Sequence, residues 1–172
     1  IKKEGGRLLA FESSTGGLVA PGFENNPWQY KFTWNPRNVV MAGSEGARFL
    51  HNGKFKYIPH HKIFRRIETI KVPELGAFEV YGNRDSLTYR EIYGLHNLET
   101  MFRGTIRRPG FCEAWDIFVQ LGATDDSYVM EDTENMTYRE LINSFIKYRI
   151  DIPVETKLAI YLGINEESEM MD

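Results

Sequence analysis

The chain has 172 residues, 42% of them hydrophobic and 13% aromatic, enough for one substantial core or a core with a small appended lobe. Lys and Arg total 21 against 24 Asp and Glu, a formal net charge of −3 without a long cationic run, which argues against a nucleic-acid surface. No apolar stretch approaches the roughly 20 residues that a membrane span needs, and the single cysteine, Cys112, excludes an intramolecular disulfide and suits a reducing cytoplasm. The opening Ile1-Lys2-Lys3-Glu4-Gly5-Gly6 does not read as a cleavable leader, and its lack of Met is what an excised piece of a longer protein would show.

Residues 7–15 read as a strand running into a turn at Gly16-Gly17, and residues 20–29, rich in turn formers, as a surface loop. Asn35 is placed to cap a short helix that Pro36 opens through Val39, Val40 and Met41. Asn52-Gly53, between the apolar runs 47–50 and 55–58, predicts a two-residue hairpin. Residues 77–81 read as a strand ending at Gly82-Asn83-Arg84-Asp85-Ser86. Thr88-Tyr89-Arg90-Glu91 and Thr137-Tyr138-Arg139-Glu140 both fit a capping box at a helix start. Phe111, Trp115, Phe118 and Val119 recur at helical spacing, with Gly122 as a stop. Leu141, Ile142, Phe145 and Ile146 mark a second amphipathic helix, and Val154, Leu158, Tyr161 and Leu162 a third between Pro153 and Gly163. The stretch from Asn165 to Asp172 is expected to fray.

Strands and helices therefore mix to about residue 122, and only helices follow. The order predicts an α+β fold, a mixed β-sheet with flanking helices and an appended all-α segment. The acidic, polar stretch 124–136 divides an α/β unit, 1–123, from a helical segment, 124–172.

Residues 100–107 carry most of the functional signal. With the period of two that a strand imposes, Met101, Arg103, Thr105 and Arg107 share one face, and Thr100, Phe102, Gly104 and Ile106 the other. Cations about 7 Å apart with a hydroxyl between them suit an extended ligand carrying several carboxylates. Arginine pairs carboxylate in a bidentate way and stays charged. The plainer alternative is a sheet edge or solvent face dotted with positive charge. Ser13-Ser14-Thr15-Gly16-Gly17 offers hydroxyls and unobstructed N–H groups, or simply a strand-to-loop turn. Taken alone, the cluster from Tyr30 to Trp34 is core and Asn83-Arg84-Asp85-Ser86 is a loop. No dinucleotide fingerprint or phosphate-cradling loop is present. His60 and His61 would point to opposite strand faces, so no metal site is expected. Cys112 reads as core rather than nucleophile.

Four segments in order carry a resemblance. They are Gly16-Gly17-Leu18 with Ala20-Pro21, Asn26-Pro27 with Tyr30 to Trp34, Asn83 to Ser86, and Phe102 to Arg107 with Pro109-Gly110-Phe111. Over residues 7–122 the series resembles the substrate domain of the NADP-dependent, glutamate-forming saccharopine dehydrogenase family. The resemblance implies a fold of the glyceraldehyde-3-phosphate-dehydrogenase C-terminal type that also forms a homodimer, followed by the start of an inserted helical domain. NADP(H) would bind a Rossmann domain absent from this chain, which alone would be inactive. The implied reaction joins glutamate to α-aminoadipate semialdehyde and reduces the imine to saccharopine in lysine metabolism. Arg84 would pair one carboxylate, Gly104, Thr105 and Thr33 would hydrogen-bond others, and Thr15 and Gly16 would line the site beside the reacting carbon. Gly17, Arg103 and Arg107 complete the candidate set. Relatives often carry cysteine where this chain has Thr15, and threonine is no acid near neutrality, so no catalytic residue is assigned. A carboxyspermidine-type dehydrogenase domain and a non-catalytic dimerisation or ligand-binding domain are the alternative readings.

Overall fold

Asn52 and Gly53 both take positive φ, 48° and 73°, and join β2 (Ala47–His51) to antiparallel β3 (Lys54–Ile58) through the expected two-residue turn. The computed structural model describes residues 2–26, 28–42, 44–147 and 149–165. The end of the chain after Asn165, expected to fray, lies outside them. Two compact units form, Ile1–Asp116 and Ile117–Asp172.

The first unit is built on a seven-stranded sheet with the order β3-β2-β7-β5-β4. Here β4 is Glu68–Val72, β5 Gly76–Gly82, β6 the two-residue Arg84–Asp85, which pairs parallel with β2, and β7 Thr100–Arg107. β1 (Ala10–Thr15) runs parallel to β7 along residues 100–105. Leu50 of β2 meets Met101 on the opposite edge of β7, and β5 takes up that same edge from Gly104 to Arg107. β7 is thus the centre of the sheet. The edge-or-solvent alternative for its cationic face is overturned, since Met101 is fully buried and Arg107 is only 5% exposed. β4 pairs with β5 and was not anticipated, because five mixed polar and apolar residues acquire their meaning only beside a partner.

Leu50, Leu98 and Met101 form a cluster under Leu87 and Leu95 of the α2 region (helix Leu87–Ile92). Farther along the sheet, Ile63, Phe64, Tyr81, Phe111 and Cys112 are buried together. Each large apolar group fully removed from water contributes about 1.5–3 kcal/mol. Cys112 is fully buried, and burial foremost, with Glu79 beside it, drives its thiol far above the ordinary range, as suits a packing residue. His60 and His61 do not lie on a strand. They open a 3₁₀ turn, His60–Arg65, with their rings edge to face.

Asn35 caps α1 (Pro36–Val40) by accepting from the Asn38 N–H, as expected. The box expected at Thr88 does not form. Leu87 already opens α2, and Asp85 caps it by accepting from the N–H groups of Leu87 and Thr88. The helix begins one residue before the threonine, so Thr88 spends its hydroxyl on Asp85 instead.

Helix α3 (Phe111–Leu121) spans the change of units, which falls at 116/117 beside the expected 123/124. Its first turns belong to the sheet unit, where Phe111 stacks on Trp115 at 5.4 Å and 6°. In the second unit α4 (Tyr138–Phe145) carries the full capping box between Thr137 and Glu140. Arg139 pairs Glu155 of α5 (Val154–Leu162) at 2.7 Å, and Gly163 ends α5 at a φ of 69°.

Candidate active site

The segment Asn83 to Ser86 is tied to the centre of the sheet. Between the Leu50–Met101 and Gly82–Gly104 pairs, one edge of Arg103 faces neither β2 nor β5. Asn83 fills that gap by donating its N–H to the Arg103 carbonyl at 2.8 Å, and Ser86 Oγ accepts the Arg103 N–H at 2.9 Å. Ser86 is buried, and this bond satisfies a ladder group that would otherwise be orphaned. Asp85 holds the next turn through the α2 cap and an Arg48 hydrogen bond of 2.6 Å. Arg84, between these anchors, adopts the left-handed φ of 47° and projects from a rigid mount.

A cavity of about 550 Å³ opens over this face of the sheet. Of the candidate residues, Thr15, Gly16, Gly17, Arg84, Arg103, Thr105 and Arg107 line it together. Thr33 and Gly104 do not. Thr33 stands one layer out, its Oγ1 3.6 Å from where a Cβ on Gly17 would be. A Cβ on Gly104 would meet Ser14, Val80 and Phe102, on the opposite side of the sheet from Arg103 and Thr105. A Cβ on Gly16 would come within 2.2 Å of the Ile106 carbonyl oxygen and 2.8 Å of Arg107 Nη1, so only glycine lets the chain pass over β7 there.

The charges of the cavity are uniform. Arg84, Arg103 and Arg107 line it, and no Asp, Glu, Lys or His does among the described residues. Arg103 lies 3.8 Å over the Tyr89 ring, and Arg107 4.7 Å and 4.9 Å from the rings of Tyr30 and Phe111. These π faces hold the cations in place without neutralising them. Arg84 has one distant carboxylate, Glu45, at 3.9 Å. Such a site can take a ligand with several negative groups and orient it by bidentate pairing. Among the described residues no group of three or more His, Cys, Asp or Glu could hold a metal ion.

Trp34, Asn38, Val39, Ala42, Tyr81, Asn83 and Tyr89 also line the cavity without having been singled out as site residues. Tyr81 belongs because β5 registers it opposite Thr105, and Tyr89 because α2 folds back over Arg103. Trp34 was visible only as part of an aromatic cluster.

Comparison with known proteins gives this site a context. The family model for the saccharopine dehydrogenase C-terminal domain matches residues 1–168. The saccharopine dehydrogenase (NADP(+), L-glutamate-forming) of Schizosaccharomyces pombe is 35% identical over 150 residues, covering 86% of this chain and 33% of that protein. The alpha-aminoadipic semialdehyde synthase of Arabidopsis thaliana is 31% identical over 200 residues, covering 99% of this chain and 19% of that one. The solved structure of apo histidine-tagged saccharopine dehydrogenase (L-Glu forming) from Saccharomyces cerevisiae superposes with a TM-score of 0.76 at 26% identity, covering 99% of this chain and 38% of that one. The chain thus spans about a third or less of the length of these curated relatives. With nearly its whole length matched, it belongs to the saccharopine dehydrogenase family, in the part that forms the C-terminal domain.

Proposed function

We propose that this chain is the substrate-binding part of a dehydrogenase that interconverts saccharopine with glutamate and α-aminoadipate semialdehyde, in lysine metabolism. The observation that carries the reading is the cavity with three arginines and, among the described residues, no acidic lining residue. Saccharopine has three carboxylates, and Arg84, Arg103 and Arg107 offer one fork to each. The polyamine alternative wants the reverse polarity, carboxylates around ammonium groups, and none lines this wall among the described residues.

NADPH, when bound, supplies the hydride that reduces the imine. This chain has no Gly-x-Gly-x-x-Gly turn to hold a dinucleotide, so the cofactor would rest on other parts of a longer protein. What the chain's own residues do is bind and orient. The arginines fix the carboxylates, and Thr105 and Thr15 present hydroxyls to the amino acid backbone of the ligand. Thr15 cannot deliver a proton near neutrality, and we assign no general acid within the chain. The fold is read as the glyceraldehyde-3-phosphate-dehydrogenase C-terminal type, dimerising through the sheet and the 47–58 hairpin, where Phe55 and Tyr57 are 53% and 64% exposed. Calorimetric titration of the full-length protein tests the assignment. Saturable binding of saccharopine with none of carboxyspermidine is expected, and the opposite preference would overturn it.

A further inference from the structure

Three buried polar groups stand at or behind the floor of the cavity. Arg107 Nε, Tyr81 Oη and Tyr30 Oη are each buried; Arg107 Nε and the Tyr30 hydroxyl make no hydrogen bond, and the Tyr81 hydroxyl has the Thr105 side chain beside it across the ladder. Their residues are 5%, 1% and 7% exposed. Orphaned buried donors are uncommon and costly, about 1–3 kcal/mol each. Here they cluster. Arg107 lies over the Tyr30 ring, and Tyr81 feels both Arg107 and Tyr30 electrostatically. Arg107 and Tyr81 line the cavity, while Tyr30 stands behind them.

The residue that should neutralise Arg107 is occupied elsewhere. Glu79 is its cross-strand partner on the same face, but its carboxylate accepts from the N–H groups of Gly110 and Cys112 at 2.9 and 3.0 Å. Arg107 Nη1 turns back to its own Ile106 carbonyl at 3.0 Å, leaving Nε unused. Burial foremost raises the Tyr81 phenol's pKa, with Arg107 and the hydrogen bond with Thr105 opposing, so the phenol stays protonated and can donate.

We propose that Tyr81 and Arg107 form a distinct carboxylate subsite at the cavity floor, the Tyr81 hydroxyl and the Arg107 guanidinium donating to one ligand carboxylate. The subsite rests on the reading of the cavity as a polycarboxylate site, and it adds Tyr81 as a binding residue. A carboxylate there would satisfy the Arg107 guanidinium, take a second bond from the Tyr81 hydroxyl and supply the ion-pair partner that Arg107 lacks among the described residues. Arg84, mounted on the segment beside Arg103, would serve a different carboxylate.

The test is Tyr81→Phe in the full-length dehydrogenase, beside Arg84→Ala. The phenol's neighbour within the chain, Thr105, is itself on the open cavity wall, so the melting temperature of Tyr81→Phe without ligand should change little. The rise in melting temperature produced by saccharopine should shrink, and KM for saccharopine should increase about tenfold, the value of one hydrogen bond to a charged group. KM for NADP should stay unchanged. In a Tyr81→Phe, Arg107→Lys double variant the two losses in affinity should not add, because both residues grip one carboxylate. A fall in the unliganded melting temperature of Tyr81→Phe would make the phenol structural and overturn the proposal. So would an unchanged KM in Tyr81→Phe while Arg84→Ala raises it, with the polycarboxylate reading left standing. If both variants fold and neither alters KM, the reading of the cavity falls too.

Discussion

Glu79 and Arg107 stand opposite each other in the β5–β7 ladder, yet no ion pair joins them, because the Glu79 carboxylate reaches the start of α3. One buried carboxylate thereby satisfies two N–H groups at a helix N-terminus, where negative charge is also favoured by the dipole. The same choice leaves a buried cation facing the cavity. Glu79→Ala should destabilise the protein by about 3 kcal/mol, since it strands two buried donors at the start of α3. Glu79→Gln keeps one acceptor and should cost about half as much. Urea denaturation of both variants checks this, and equal losses would mean that charge rather than capping dominates.

Arg84 and Arg103 differ in setting, and their variants should differ accordingly. The Arg84 side chain is 45% exposed and already near Glu45, so its pairing with a ligand is partly screened. Arg84→Ala should raise KM for saccharopine about tenfold, and Arg84→Lys should recover part of the loss. Arg103, stacked on Tyr89 with no ion pair among the described residues, has more to lose. Arg103→Ala should exceed Arg84→Ala by at least several-fold in kcat/KM. Steady-state kinetics on the full-length protein decides the order, and a larger effect at Arg84 would displace Arg103 from the ligand.

Much of this architecture is legible in the chain itself, for local reasons. Asn52-Gly53 can do little but turn, and the alternation of Arg103, Thr105 and Arg107 survives into the cavity wall because the side-chain period of a strand is two. What escaped is decided by pairing at a distance. Nothing near Arg107 in sequence says that β5 will set Glu79 and Tyr81 beside it. The same holds for Thr88, whose four-residue signature matches that of Thr137, yet only Thr137 caps. Ser86 is claimed by Arg103 in the sheet, and Asp85 steps in as the cap. Gly104, read with the site through its neighbours, instead makes room for Ser14 and Val80.

Gly104 and Gly16 therefore separate packing from access. A Cβ at Gly104 would press to 2.6 Å on both Ser14 Oγ and Val80 Cγ1, on the face away from the cavity. Gly104→Ala should cost about 1–3 kcal/mol of stability through overpacking, with little change in KM at a temperature where the variant is folded. Gly16→Ala collides with the Ile106 backbone and with Arg107, so it should displace the cavity wall and raise KM for saccharopine as well as lowering the melting temperature. Thermal melts paired with kinetics distinguish the two. An equal KM effect from both would return Gly104 to the binding site.

Asp85, which holds the segment that mounts Arg84, should make the stability of that segment depend on pH. Burial works to raise its pKa, but hydrogen bonds from Arg48, from the Thr88 hydroxyl and from the Leu87 and Thr88 N–H groups prevail and lower it from 3.8 to about 2. The folded value lies below the unfolded one, so the stabilisation is complete above about pH 4 and fades as the pH falls toward 2. The shift corresponds to about 2 kcal/mol at neutral pH. Asp85→Asn should remove that amount at pH 7, and because the α2 cap and the Arg84 mount loosen together, it should also weaken saccharopine binding. On acidification the stability gap between the wild-type protein and Asp85→Asn should narrow, closing near pH 2. Denaturation midpoints measured from pH 7 down to pH 2 test this, and a gap that stayed constant would show that Asp85 acts through shape and not through its charge.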